Sequence, residues 1–167
     1  MISHLELFAG IGGFRKAIEL LSKDFSIKEK CVGFSEIDPY AALTYKSNFN
    51  IKDEIEIGDI NQFTSNIKNI KSLEDFVLIT GGFPCQSFSM MGKKKGFDDY
   101  RGNVFYRIID ILKIKKPPFV LLENVKNLKT HNSGDTFKEV KASLYKIGYK
   151  YIYSDIFNSS NFNLAQN

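Results

Sequence analysis

Short apolar runs alternate with stretches of helical periodicity along this chain, and that alternation limits its possible folds more than any other feature. Ile2 to Phe8 is apolar with a polar break and reads as a buried strand that runs into glycines. Phe14 to Leu21 then carries Phe14, Ala17, Ile18 and Leu21 at helical spacing. Cys31 to Phe34 is a short second strand, and Pro39 suits a first helical turn after Asp38, with helix running toward Phe49. Phe76 to Ile79 is a continuous apolar run bounded by Thr80-Gly81-Gly82, as expected of a central strand. Val104 to Ile114 is helical in period and stops at Pro117-Pro118; Phe119 to Leu122 is another buried strand. Thr136 to Ile147 reads as a helix ended by Gly148, and Tyr149 to Phe157 alternates like a further strand. Strands that alternate with helices imply right-handed crossovers and an α/β fold with a doubly wound, mainly parallel sheet.

In such sheets ligands bind beyond the carboxyl ends of the strands, so the chemistry belongs in the residues just after each apolar run. The first run enters Phe8-Ala9-Gly10-Ile11-Gly12-Gly13 with a helix following, which lets a ligand approach the backbone and face a helix N-terminus. Arg15 stands where the dinucleotide fingerprint would need a third spaced glycine, so the turn alone could equally be only a turn. Glu36 ends the second run, where an acid can hold ribose hydroxyls. Glu36, and Asp59 within Gly58-Asp59-Ile60, could equally be solvated acids or helix-start charges. Taken together, these elements favour a nucleoside-bearing cofactor.

Cys85 lies in Gly82-Phe83-Pro84-Cys85-Gln86-Ser87-Phe88-Ser89, directly after a strand. A cysteine there is accessible, and nearby amides favour its thiolate. A free cysteine is more often a small buried hydrophobe, which suits Cys31 beside Val32 but not Cys85 among glycine, proline, glutamine and serines. Glu123 ends Leu121-Leu122-Glu123; an acid abutting so apolar a run needs a partner or a function, unless it simply emerges into solvent.

Composition narrows the classes. The chain has 167 residues, 43% hydrophobic and 25% charged, which suits one soluble globular domain. No apolar run is long enough to span a bilayer, and the start lacks the basic region and cleavage site of a secretory signal. With two cysteines there is no disulfide framework, which points to a reducing cytoplasm; with two histidines and no Cys/His cluster, no metal site is expected. The net charge of +4 tolerates a polyanionic partner without requiring one. Lys93, Lys94 and Lys95 stand together, with Arg101 and Arg107 downstream, and taken alone such a run is most simply a solvated loop.

The motifs in this order resemble the DNA (cytosine-5) methyltransferases. Leu7-Phe8-Ala9-Gly10-Ile11-Gly12-Gly13-Phe14, Glu36-Ile37-Asp38 and Gly58-Asp59-Ile60 are similar to that family's donor-binding motifs. Gly82-Phe83-Pro84-Cys85-Gln86-Ser87-Phe88-Ser89 resembles its Pro-Cys motif, and Glu123-Asn124-Val125 its Glu-Asn-Val motif. The resemblance implies a Rossmann-like class I methyltransferase fold, S-adenosylmethionine as methyl donor with S-adenosylhomocysteine as product, and double-stranded DNA as partner. It implies that Phe8, Gly10, Gly12 and Gly13 pack around the donor, Glu36 binds its ribose, Ile37 lies on the adenine and Asp59 binds the adenine amino group. Ile60, Gly82 and Pro84 complete that site. Cys85 would attack carbon 6 of a flipped cytosine while Glu123 holds ring nitrogen 3 and the exocyclic amine. Gln86, Ser89, Lys93 and Arg101 would face DNA, which turns the lysine run into a DNA-facing loop.

Two departures stand out. Glu6 occupies the position where the family usually has Asp, with the charge kept and little effect expected. Asn158 to Asn167 resembles the start of a motif whose paired arginines approach the base, yet no such arginine follows. Residues 1–167 are therefore expected to be a C-terminally incomplete catalytic domain without its target-recognition domain. It would be part of a longer protein or one subunit of a split enzyme, with a second polypeptide supplying recognition. The alternatives are a non-catalytic donor-binding or DNA-associating remnant, and a tRNA cytosine-5 methyltransferase. The implied setting is a bacterial restriction–modification system, cytoplasmic and nucleoid-associated when on DNA.

Overall fold

The computed structural model describes residues 1–84 and 104–164, which divide into two compact units, Met1–Asn124 and Val125–Asn167. The first unit holds strands β1 (Ile2–Leu7), β2 (Glu29–Phe34), β3 (Ile55–Glu56), β4 (Leu78–Gly82) and β5 (Phe119–Glu123). They form one five-stranded sheet in the order β3-β2-β1-β4-β5, and every pairing is parallel. Its helices are α1 (Gly13–Asp24), α2 (Pro39–Asn48), α3 (Ile60–Thr64), α4 (Ile67–Ser72) and α5 (Val104–Lys115).

The chain starts in the middle of the sheet, winds outward to β3, returns to β4 on the other flank of β1 and ends at β5. Right-handed crossovers then place α1 and α2 on one face and α3 to α5 on the other. The winding reverses between β1 and β4, which makes the carboxyl ends of those two strands the switch point where ligands bind.

Local chemistry explains the elements. Asp38 accepts hydrogen bonds from the amides of Tyr40 and Ala41, and Pro39 occupies the first helical position, so α2 begins where the sequence indicates. Tyr45 of α2 is fully buried and stacks on Phe34 of β2, ring centroids 4.2 Å apart; Phe49 lies 4.8 Å beyond it. Helix α5 buries Phe105, Ile108, Ile109, Ile111 and Leu112. In α1 the buried residues are Arg15, Ile18 and Ser22. Leu21, which helical spacing would place inward, is exposed. The helix is rotated so that Arg15 reaches Glu54, Nη1 to Oε1 at 2.6 Å.

Other differences from the sequence reading have identifiable causes. Strand β4 takes in Thr80-Gly81-Gly82 rather than stopping before them. A side chain at Gly81 would come within 3.3 Å of the Leu7 carbonyl oxygen, so this glycine is a point of close strand packing, not a terminator. Strand β5 is not buried: Phe119, Leu121 and Glu123 are exposed on one face and Val120 and Leu122 half-buried on the other. The two-residue β3 and the short α3 and α4 have too few residues to show a period. Gly33 marks β3 nonetheless, because a side chain there would meet the Ile55 carbonyl oxygen at 2.7 Å.

The second unit contains short 3-10 turns at Lys126–Lys129, His131–Gly134 and Ser159–Phe162, and helix α6 (Asp135–Lys146). Thr136, Val140, Leu144 and Leu128 are its buried residues. Residues 149–157 alternate in polarity yet form no strand. Tyr151 and Tyr153 are exposed; alternation supplies one face, and a strand also needs a neighbour to complete its ladder. Among the described residues no helix is long and apolar enough to cross a membrane.

Candidate functional site

Because all five strands are parallel, the residues that follow them share one edge of the first unit. At the end of β1 the chain turns sharply. Phe8 sits at φ +54°, an uncommon conformation for a residue with a side chain, and Gly10 and Gly12 also have positive φ. The turn is tied to the end of β2. The Phe8 amide donates to Ser35 Oγ at 3.1 Å and the Ala9 amide to the Ser35 carbonyl at 2.9 Å. The Gly10 amide donates to Glu36 Oε2 at 2.7 Å, while Glu36 Oε1 accepts from the amides of Ile37 and Asp38, both at 2.8 Å. Glu36 thus locks two strand ends together and is neither the loose acid nor the plain helix-start charge the sequence left open.

Gly12 is the tightest point. A side chain there would overlap the Phe49 ring, so the turn rests directly on the Phe34–Tyr45–Phe49 stack. At Gly10 and Gly13 a side chain would meet nothing within 4 Å, so the outer wall of the turn is open. Ile37 is 74% exposed beside it. Asp59 follows β3 and accepts from the Asn61 amide at 2.8 Å, capping α3 while it stands at the same sheet edge. Ile60 is buried beside it.

On the other side of the switch point, Gly82 of β4 pairs in register with Glu123 of β5. A side chain at Gly82 would lie 3.1 Å from Glu123 Oε2, so the carboxylate leans across the glycine. Glu123 is exposed, so it is the strand-end acid emerging into solvent rather than a buried carboxylate. Asn124 Nδ2 donates to the Phe83 carbonyl at 2.6 Å and clamps the β4 and β5 ends together, with Pro84 exposed just beyond. Cys85, Gln86, Ser89, Lys93 and Arg101 lie outside the described residues. Cys31 is buried, and burial pushes its thiol up to about 12, which agrees with a structural role.

One buried acid at this end of the sheet escaped the sequence reading. Glu6 on β1 is fully buried; its Oε1 accepts from the Arg15 amide at 3.3 Å and its Oε2 from the Tyr45 hydroxyl at 3.2 Å. Burial raises its carboxyl to about 7. The signal available was an acid inside an apolar run, but its partners sit 9 and 39 residues away.

A cavity of about 670 Å³ opens at the opposite end of the strands among Arg15, Lys28, Glu29 and Glu54; the glycine turn lines a smaller one of about 360 Å³ with Lys16 and Phe49. Topology outweighs size here, since the larger space adjoins strand starts and loops that no strand end reaches.

A parallel, doubly wound sheet with a glycine turn, a strand-end acid on β2 and an exposed acid on β5 defines a Rossmann-like domain of the methyltransferase type. The family model for C-5 cytosine-specific DNA methylase matches residues 2–167, and the chain belongs to that family. It is 43% identical over 163 residues to type II methyltransferase M1.ScrFI of Lactococcus lactis subsp. cremoris, covering 98% of this chain and 38% of that protein. It is also 43% identical over 167 residues to type II methyltransferase M.HgiCI of Herpetosiphon aurantiacus, covering 100% of this chain and 37% of that protein. The chain therefore spans well under half the length of these relatives. The fold is similar to that of the Schizosaccharomyces pombe Dnmt2 methyltransferase, with a TM-score of 0.58 at 23% identity over 87% of this chain and 40% of that one.

Proposed function

We propose that residues 1–167 are the donor-binding and catalytic portion of a DNA (cytosine-5) methyltransferase that uses S-adenosylmethionine. The observation that carries this reading is the coincidence of family motifs with strand ends: each donor-site residue named from the sequence stands at one edge of a parallel sheet, on both sides of its switch point.

The residues present suit a nucleoside-bearing sulfonium donor. The turn at Gly10 and Gly13 is open, Ile37 offers an exposed apolar face, and Glu36 and Asp59 supply carboxylates within the same edge. In this reading Phe8, Gly10, Gly12, Gly13, Gly82 and Pro84 shape the cradle, Glu36 receives the ribose hydroxyls, Asp59 the adenine amino group, and Ile37 and Ile60 line the base. When bound, the donor supplies a methyl group to carbon 5 of cytosine. The Cys85 thiolate adds to carbon 6, while Glu123 holds a proton at ring nitrogen 3 and accepts from the exocyclic amine. Loss of the carbon 5 proton then restores the double bond and expels the Cys85 thiolate. Gln86, Ser89, Lys93 and Arg101 contact DNA around the flipped base.

Recognition of a particular sequence falls to protein beyond these residues, on the same polypeptide or a second one, since relatives are more than twice as long. The implied setting is the bacterial cytoplasm, within a restriction–modification system. DNA is preferred to tRNA because the matching family model and the bacterial relatives are DNA methylase and type II methyltransferase.

The test is transfer of tritium from labelled S-adenosylmethionine to carbon 5 of cytosine in duplex DNA, with tRNA in a parallel arm. Cys85→Ala should abolish both the covalent adduct and transfer, a fall of at least about 10³-fold, with donor binding retained. Equal transfer by this variant would remove Cys85 from the mechanism, and label in tRNA alone would reassign the substrate.

A further inference from the structure

The donor-binding turn rests on two supports, and both end at one side chain. The first support is α1, whose residue Gly12 begins the helix in a left-handed conformation with no side-chain cap. An amide of that first turn is instead satisfied from β1, where Glu6 Oε1 accepts from the Arg15 backbone at 3.3 Å. The second support is α2, whose Tyr45 donates its hydroxyl to Glu6 Oε2 at 3.2 Å. The Tyr45 ring holds Phe49, and the Phe49 ring fills the space where a side chain on Gly12 would go.

We infer that Glu6 is a positioning residue for the donor-binding turn: its buried carboxylate ties the first turn of α1 to Tyr45, and its ionisation sets how tightly the donor is held. The inference rests on the donor site proposed above. As a carboxylate, Glu6 accepts on both oxygens, and an anion at the helix N-terminus makes the stronger hydrogen bonds. Once protonated, its O–H has Tyr45 Oη as partner, which reverses that bond, and the Arg15 amide faces a neutral oxygen.

Burial lifts the Glu6 carboxyl to about 7, so both forms are present near neutrality. The other ionisable groups around it sit on every neighbouring element. Arg15 on α1 stays cationic. Burial raises the Tyr45 hydroxyl on α2 above the usual phenol range and the Cys31 thiol on β2 to about 12, so both stay neutral. Burial lowers His4 on β1 and raises Glu54 ahead of β3. Either could add its own pH dependence, which comparison with a Glu6 variant subtracts.

The experiment is calorimetric titration of the purified protein with S-adenosylhomocysteine from pH 6 to 8, alongside Glu6→Gln and Tyr45→Phe. The ratio of affinities between wild type and Glu6→Gln cancels titration of the ligand itself. That ratio should rise about threefold to tenfold between pH 6 and 8, as Glu6 ionises in the wild type alone. Tyr45→Phe, which keeps the ring and the fold, should lower affinity at pH 8. In protein without ligand, the Arg15 amide resonance should titrate near pH 7 in the wild type and not in Glu6→Gln. A ratio flat with pH, or an Arg15 amide that does not titrate, would overturn the role of Glu6 with the donor site intact. No binding to wild type at any pH, with the amide titration present, would instead overturn the donor-site reading and the affinity coupling with it.

Discussion

The ends of β1 and β2 and the ends of β4 and β5 lie along one sheet edge but are built in opposite ways. Around β1 and β2, amides of Phe8, Ala9, Gly10, Ile37 and Asp38 are taken up by Ser35 and Glu36, and the glycine turn is pressed onto an aromatic stack. Around β4 and β5, a bond from Asn124 to the Phe83 carbonyl clamps the strands and leaves Glu123 exposed. A preorganised cradle suits the proposed donor, whose nucleoside part keeps the same contacts before and after it gives up its methyl group. An acid in the open suits a substrate that must first leave a duplex to reach it. In the proposed reading, the difference teaches that the β1–β2 end, where the donor would bind, is already held in place by the chain's own hydrogen bonds, whereas the β4–β5 end leaves its acid open.

Three substitutions sharpen or break that contrast. Glu123→Gln should give the largest effect, a fall in turnover on the order of 10²–10³-fold, while stability moves by less than about 0.5 kcal/mol because the side chain is exposed. A variant that unfolds, measured by thermal denaturation, would show the β4–β5 end to be structural after all. Gly12→Ala should destabilise the domain by about 2–4 kcal/mol, since the new methyl group overlaps Phe49 and the backbone φ is +95°. Chemical denaturation checks this, and a change below about 0.5 kcal/mol would mean that the turn is not pressed on the stack. Glu36→Ala should weaken donor affinity about tenfold and cost about 1 kcal/mol of stability, because its bonds serve the cradle as well as the ligand. Unchanged affinity in calorimetry would take Glu36 out of the donor site.

Much of this was legible in the sequence. The strands β1, β2, β4 and β5 and the helices α1, α2, α5 and α6 each carry a period, a cap or a breaker. The positions of Glu36, Asp59, Gly82 and Glu123 follow from where those strands end. What was missed depends on partners distant in the chain. Gly81 and Gly33 look like punctuation and are instead points where strands approach closely, which no local pattern records. The 149–157 stretch shows the reverse error, a local pattern without a ladder. Glu6 looked like a conservative exchange of one acid for another, yet the structure buries it and binds it to two helices. Burial rather than charge alone decides its behaviour.

Strand β1 precedes both of its neighbours, β2 and β4, in the chain and is the central strand of the sheet. During synthesis its second edge stays open until residues 78–82 leave the ribosome, roughly 70 residues later, or about 4–15 s at ordinary elongation rates. An exposed strand edge for that long invites pairing with the wrong chain. Ser3, His4 and Glu6 interrupt what would otherwise be an uninterrupted apolar segment, and in the nascent chain Glu6 is hydrated and charged. The acid that is folded into the interior of the finished domain is thus, before folding, a charge that interrupts the apolar segment.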